Sequence, residues 1–324
     1  MLLSVIIPVY NNAPLLERCL LSLCAPPMAE HAEVVVVDDG SSAPVGETLE
    51  AVVRRVLEPR HIAFQLLRQA HQGAATARNK GIEAAQGQYC WFVDADDTAD
   101  TSQLAPLLVV LQSLPAHADL LHTGAMQLQH SLCTSSSPDV AATQLVPVST
   151  LLQPCSAALD HTTYLVSRSL MQRQPALRYP AGHSLLEDSC FVLALLEGAS
   201  CIYSNDSLHP YVRHTDHPST TAGAWSLQRC ETFVPDISFF FDTLVGFLQR
   251  HPDIDCDGAF FRRYRYLYLR VLAVKGCPWA LLTPFRSQVL PLPPAPKALK
   301  ERLLFSPFVH RLLAAICRLW RKKR

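Results

Sequence analysis

The sequence predicts an α/β fold in which a parallel sheet is flanked by helices. Its first third alternates short runs rich in Val and Ile with segments whose apolar residues recur at helical spacing. The strand-like runs 3–9 and 33–37 are apolar without alternation, as expected of strands buried on both faces. Acidic residues gather where such runs stop, at Asp38, Asp39, Asp94, Asp96 and Asp97. In open α/β sheets that edge, beyond the carboxyl ends of the strands, is where ligands bind.

In order along the chain, the run 3–9 is followed by a helix over 14–24. Leu15, Leu16, Cys19, Leu20 and Leu23 share one side of it, and Pro14 suits its first turn. A strand at 33–37 completes one βαβ unit. The pattern continues with a helix at 47–57, a strand at 63–68, a helix at 74–85, a strand at 88–93 and a helix at 102–114. The serines and proline of 131–139 predict an exposed loop. Residues 164–171 read as a strand entering a helix, and 189–197, 227–249 and 260–275 as helices, so the C-terminal region is mostly helical. The PLPPAP segment at 291–296 predicts extended chain and a boundary.

At 324 residues and 49% hydrophobic, the chain is long and apolar enough for a continuous core. Charged residues are only 17% and the formal net charge is zero, which speaks against nucleic acid as the partner. Eleven cysteines, none spaced as CxxC and most in apolar runs, read as small buried hydrophobes of a reducing compartment. No basic leader with a cleavage site precedes the first strand, and no apolar stretch approaches the roughly 18–20 residues that span a bilayer. A cytoplasmic location is therefore expected.

Two acidic motifs carry the chemistry. VVVVDDGSS ends a buried strand at Asp38-Asp39-Gly40, where two adjacent acids are costly unless they bind something, although a capped strand-to-helix turn has the same look. YCWFVDADD ends another at Asp94, Asp96 and Asp97. Three carboxylates within four residues repel one another, and a hard divalent cation is the usual compensation. Between them, HQGAATARNKGIEAAQG opens a helix at Gly73 that carries Arg78, Asn79 and Lys80. Arg78 is placed to contact a diphosphate, or to lie on a solvated helix face. The first strand-to-helix turn reads VYNNAPLL without GxGxxG, which excludes a dinucleotide-binding dehydrogenase.

In this order and at these separations, SVIIPVYNN, VVVVDDGSS, ARNKGIEAAQGQY and FVDADD closely resemble the family 2 glycosyltransferases of the GT-A fold. The likeness is strong over residues 2–100 and weaker over 160–222. It implies an inverting transferase that takes a sugar from a nucleotide diphosphate donor, with Pro8, Tyr10 and Asp39 around the nucleoside. It also implies a DxD pair at Asp94 and Asp96 that engages Mg²⁺ or Mn²⁺, Asp96 being the direct ligand. RYPAGHSLLEDSCFVLALLEGA resembles the family's late acidic element, which makes Asp188 the catalytic base and Glu187 its neighbour; an acidic pair also opens many ordinary helices. YVRHTDHPSTT resembles a further family segment and leaves His214 and His217 both open as its histidine.

The resemblance implies a glycan or lipid-linked acceptor in bacterial surface polysaccharide synthesis. Two rivals remain: a polyprenyl-phosphate glycosyltransferase, which shares the first motifs, and a catalytically silent nucleotide-binding scaffold, against which the intact acids argue. Domains are expected at 1–222 (catalytic), 223–290 (helical) and 291–324 (spacer and basic helix). Residues 297–324 hold nine of the 28 Lys and Arg and one acid, Glu301, with apolar residues at helical spacing and Trp320. Such a basic amphipathic helix suits an anionic membrane surface, the inner face of the cell membrane, or packs on the catalytic domain.

Overall fold

The computed structural model describes residues 1–42, 48–124, 127–128, 138–152, 159–215, 225–254, 277 and 281. The chain divides into two compact units, one of Met1–Leu151 with Ala157–His217 and one of Leu152–Ser156 with Pro218–Arg324.

The first unit begins β1 (Leu3–Val9), α1 (Ala13–Ser22), α2 (Pro26–His31), β2 (Ala32–Asp38), α3 (Leu49–Leu57), β3 (Ala63–Arg68), α4 (Ala74–Ala84) and β4 (Tyr89–Phe92). It continues through β5 (Thr98–Ala99), α5 (Thr101–Ser113), β6 (Leu120–Thr123), β7 (Gln127–Leu128), β8 (Gln144–Leu145) and α6 (Val148–Leu151). After β9 (Tyr164–Ser167), α7 (Arg168–Arg173) and α8 (Glu187–Gly198), it ends on β10 (Ile202–Asn205) and β11 (Tyr211–Arg213). One sheet runs β3-β2-β1-β4-β9-β6-β10-β8, and a small one runs β5-β11-β7.

Strands β1 to β4 are mutually parallel, as the buried, non-alternating sequences of β1 and β2 predict. β1 and β2 are buried throughout, while β3 at the edge is only half-buried. α1 buries Leu16, Cys19 and Leu20, each fully buried leucine contributing about 1.5–3 kcal/mol. The sheet as a whole is mixed, because β9 pairs antiparallel with both β4 and β6. It is preceded by a short 3-10 turn, His161–Thr163, whose Thr162 carbonyl accepts a hydrogen bond from Trp91 Nε1 of β4 at 2.9 Å. β9 thus enters from the carboxyl edge of the sheet and runs back down it.

The topology places the site. The chain builds β1, β2 and β3 outward in one direction and then returns to lay β4 on the other side of β1. Order reverses at β1, and such a switch point is where open α/β sheets bind ligands, beyond the carboxyl ends of the adjacent strands. α4 packs closely over β1, where a Cβ at Gly81 would collide with Ile6. Arg78, one turn earlier, therefore faces inward.

In the second unit, α9 (Leu227–Arg250) is started by Ser226, whose hydroxyl accepts from Arg229 N at 3.2 Å. It buries Cys230, Phe233, Ile237, Phe240, Phe241, Leu244 and Phe247. This fits the expected helix at 227–249. Most of 131–139, the helix at 260–275, the proline segment 291–296, the tail 297–324 and His217 fall outside the described residues. All seven described cysteines are free thiols, five of them buried; Cys277 approaches Cys230 at 2.7 Å. Among the described residues no helix is long and apolar enough to cross a membrane.

Candidate active site

At the end of β2, Gly40 takes a left-handed φ of 77°, and a Cβ there would lie 2.6 Å from the backbone nitrogen of His71. Glycine lets the turn close against the loop that leads into α4. Asp39, 3% exposed, holds that loop: Oδ1 accepts from Gln69 Nε2 at 2.7 Å and Gln72 N at 2.9 Å, and Oδ2 accepts from Gly73 N at 2.9 Å. His71 Nδ1 lies 2.8 Å from the same Oδ2. The imidazole of His71 stacks on Tyr10, which leaves β1 half exposed, with ring centroids 4.1 Å apart. Pro8 sits within β1 opposite Val37. Together these form one flat-faced, hydrogen-bonding cluster. His71 was not singled out from the sequence, although it lies inside the HQG stretch.

The second cluster follows β4. Asp94, Asp96 and Asp97 offer one carboxylate oxygen each within 4.8 Å of one another, with Asp96 the most exposed. Arg18 of α1 fixes the turn by donating to the Asp96 carbonyl at 2.5 Å. Asp97 is buried and accepts from Tyr211 Oη at 2.5 Å and His214 N at 2.7 Å. Burial pushes its pKa up to about 6; those two donors pull against it, and the charges of Asp94 and Asp96 add to the rise. His214 is thus drawn in through its backbone, and its Nε2 lies 2.9 Å from Thr98 Oγ1. Nothing in the sequence pointed to Tyr211 as the partner of Asp97.

Arg78 joins this cluster to the late acidic pair. It is 5% exposed, donates through Nη2 to Asp94 Oδ1 at 2.7 Å and through Nη1 to Glu187 Oε1 at 3.0 Å, and lies 5.2 Å over the Tyr179 ring. Sequence reasoning offered it a diphosphate or open solvent. Instead both terminal nitrogens are engaged inside the protein, because α4 turns that face toward the sheet. Burial opposes the charge on Arg78, but Asp94, Tyr179 and Glu187 outweigh it and raise its pKa. For Asp94 burial works upward, and Arg78 overcomes it to hold the carboxyl at about 2.

Glu187 and Asp188 open α8, where the amide groups of the first turn favour negative charge. The preceding Leu186 adopts a left-handed φ of 64°, a conformation costly for a side chain with a Cβ. The two acids then diverge. Burial raises Glu187, with Arg78 only partly offsetting it. Burial also pushes Asp188 upward, yet His161, the Arg78 charge and the Ser189 amide outweigh that and leave its pKa lowered. Two neighbouring carboxyls whose environments drive them apart suit different tasks. Asn79 locks the approach to α8 through a reciprocal pair with Tyr179, donating to its carbonyl at 2.9 Å and accepting its amide at 2.8 Å.

Three carboxylates within 4.8 Å of one another, all hard oxygen donors, fit a divalent cation of the Mg²⁺ or Mn²⁺ type. Next to the first cluster a cavity of about 840 Å³ is lined by Asn11, Pro14, Asp38, Ser41, Ser42 and Arg68, among others; none of Asp39, Asp94, Asp96 and Asp188 borders it.

Comparison with known proteins bears on the same residues. Residues 4–123 match the profile of Glycosyl transferase family 2. The chain is similar to the uncharacterized glycosyltransferase EpsJ of Bacillus subtilis, with 35% identity over 106 residues, 33% of this chain and 29% of that one. The match therefore spans less than a third of that relative. In fold the chain is similar to residues 1–349 of TarS from S. aureus, solved with UDP-GlcNAc, at a TM-score of 0.60 and 18% identity over 100% of this chain and 93% of that one. It is also similar to the mannosyltransferase PcManGT from Pyrobaculum calidifontis, solved with GDP-Man and Mn²⁺, at a TM-score of 0.53 and 19% identity over 99% and 87%.

Proposed function

We propose that this chain, whose residues 4–123 match glycosyl transferase family 2 and whose fold is similar to that of GT-A glycosyltransferases, is an inverting transferase that moves a sugar from a nucleotide diphosphate to an acceptor hydroxyl. The observation that carries this reading is the joining of two acidic sites by one buried cation: Arg78 ties Asp94 of the β4 cluster to Glu187, beside Asp188.

In this reading Tyr10, Pro8 and Asp39 receive the nucleoside, with His71 displaced from Tyr10 or stacked with it around the base. Asp96 and Asp94 would hold a divalent cation, whose positive charge would supply compensation for the departing diphosphate. Arg78 acts on the diphosphate by fixing Asp94 rather than by touching it. Asp188, kept ionised, accepts the proton of the acceptor hydroxyl as its oxygen attacks the anomeric carbon, and the bond to the diphosphate breaks on the opposite face. One in-line displacement inverts the anomeric centre. The acceptor is a glycan or lipid-linked saccharide of a surface polysaccharide, and the basic segment 297–324 attaches the enzyme to the cytoplasmic face of the membrane.

The test is release of nucleotide diphosphate from a panel including UDP-GlcNAc and GDP-mannose, with Mn²⁺ or Mg²⁺. Asp188→Asn is expected to keep donor affinity and to lose about a hundredfold or more in turnover. Turnover near the wild-type value would take the base away from Asp188, and no release with any donor would overturn the reading. For the tail, the full chain is expected to sediment with anionic vesicles at low salt and to be released at high salt. Indifference to such vesicles would remove the membrane claim.

A further inference from the structure

His161 is buried to 2% exposure at the carboxyl edge of the sheet. Phe92 and Tyr179 meet its ring edge to face, at centroid distances of 6.1 and 5.8 Å. Neither ring nitrogen has a hydrogen-bond partner among the described residues. An imidazole buried in that condition forfeits its hydration without recompense. Protein chains seldom keep such a group in a wall of aromatic rings unless it serves something beside it.

What lies beside it is Asp188. His161 Nδ1 stands 3.6 Å from Asp188 Oδ2, whereas Oδ1 of the same carboxylate accepts from the Ser189 amide at 2.7 Å. One oxygen is tied to the helix and the other faces the imidazole at slightly more than hydrogen-bond length. Catalytic hydrogen bonds are often long before substrate binds and tighten in the complex.

The histidine is also held firmly. Asp160 caps its 3-10 turn, accepting from Thr162 N at 3.0 Å and Thr162 Oγ1 at 2.7 Å. Trp91 Nε1 and Thr123 Oγ1 donate to the carbonyls of Thr162 and Thr163. Arg213 then links Asp160, at 3.2 Å, to Asp97, at 3.8 Å. The turn is thereby fastened both to β4 and to the acidic cluster, so the ring has a fixed place from which to address Asp188.

We propose that His161 is a positioning residue for Asp188, directing an Nδ1–H at Oδ2 so that the carboxylate presents its remaining lone pairs to the acceptor hydroxyl. This rests on Asp188 being the base. In the complex the Nδ1–H···Oδ2 contact shortens to a hydrogen bond, and His161 itself touches neither donor nor acceptor. The lowered pKa of Asp188, to which His161 contributes once burial is overcome, agrees with this arrangement.

Three variants of the full chain separate donor from filler. His161→Phe fills the space without a donor, His161→Asn returns an N–H near the place of Nδ1, and His161→Ala does neither. With UDP-GlcNAc or GDP-mannose and Mn²⁺, kcat for nucleotide diphosphate release is expected to fall about tenfold or more in the Phe and Ala variants at unchanged donor Kd. The Asn variant should recover most of it, and His161→Phe should cost nothing further in an Asp188→Asn background. Wild-type turnover in His161→Phe, or a loss that simply multiplies with that of Asp188→Asn, overturns the proposal. Crystal structures of the wild type and His161→Phe decide it even if no donor is turned over. The Asp188 carboxylate is expected to leave its place in the variant, and one that stays put sinks the role of His161 whatever the activity. An inactive wild type would instead sink the transferase reading.

Discussion

Two strand ends of the same sheet both finish in acids, and they treat them differently. At the end of β2, Asp39 has its charge met by groups of the protein itself: two side chains and two backbone amides converge on one carboxylate. At the end of β4, three carboxylates sit within 4.8 Å of one another, with Arg78 at Asp94 and, more distantly, Arg213 at Asp97. Glu33, at the opposite edge of the sheet, resembles the first case, accepting from Ser4 Oγ, Gln65 Nε2 and the Gln86 amide. An acid met by its own chain holds its surroundings in place, as Asp39 does beside the proposed nucleoside position. Three carboxylates set this close together favour a divalent cation between them.

The largest expected effect falls where that balance is kept by one residue. Arg78→Ala would leave half-buried Asp94 and buried Glu187 without their shared cation, and removing one partner of a buried pair such as Arg78–Glu187 typically costs about 3–5 kcal/mol. Denaturant titration measures it. A loss under about 1 kcal/mol would mean that the two clusters are held apart by something other than Arg78.

Next, Asp96→Ala should weaken donor binding about a hundredfold in the presence of Mn²⁺ and leave the metal-free affinity unchanged, since in the proposed reading Asp96 meets the metal and not the nucleoside. Calorimetry with and without metal reads this directly. Equal affinities in a folded variant would erase the contrast between the two strand ends.

The smallest effect belongs to the saturated end. Asp39→Ala is expected to weaken nucleotide binding by about 1.5–3 kcal/mol, roughly ten- to a hundredfold, with or without metal. Asp39→Asn, which keeps the shape and part of the hydrogen bonding to the 69–73 loop, should lose less. If the loss in Asp39→Ala appears only with Mn²⁺, Asp39 belongs to the metal-dependent set and the two strand ends serve one site.

Much of this was legible in the chain because it is local. The apolar runs of β1 and β2, the helical spacing of α1 and the small residues opening α4 each report on their own neighbourhood, and their bounds lie within a few residues of those expected. Helix α2 escaped notice: six residues beginning with two prolines carry too little periodicity to register. The short strands β5 to β8, β10 and β11 were unreadable for the same reason, since two to four residues give no pattern to count.

By itself, the sequence determined which acids stand at the carboxyl ends of β2 and β4 and that an acidic pair opens α8, because turns and helix starts are written in adjacent residues. Only the tertiary structure decided what those acids meet. Arg78 reaches Glu187 across 109 positions, and Tyr211 reaches Asp97 across 114. His161 comes to Asp188 because β9 enters the sheet from the carboxyl edge, antiparallel to β4. Whether a charged side chain ends in water, against a partner or in an aromatic wall depends on how distant elements pack. No spacing within a single segment carries that information, since the electrostatic energy of each group is fixed by the groups that folding brings around it.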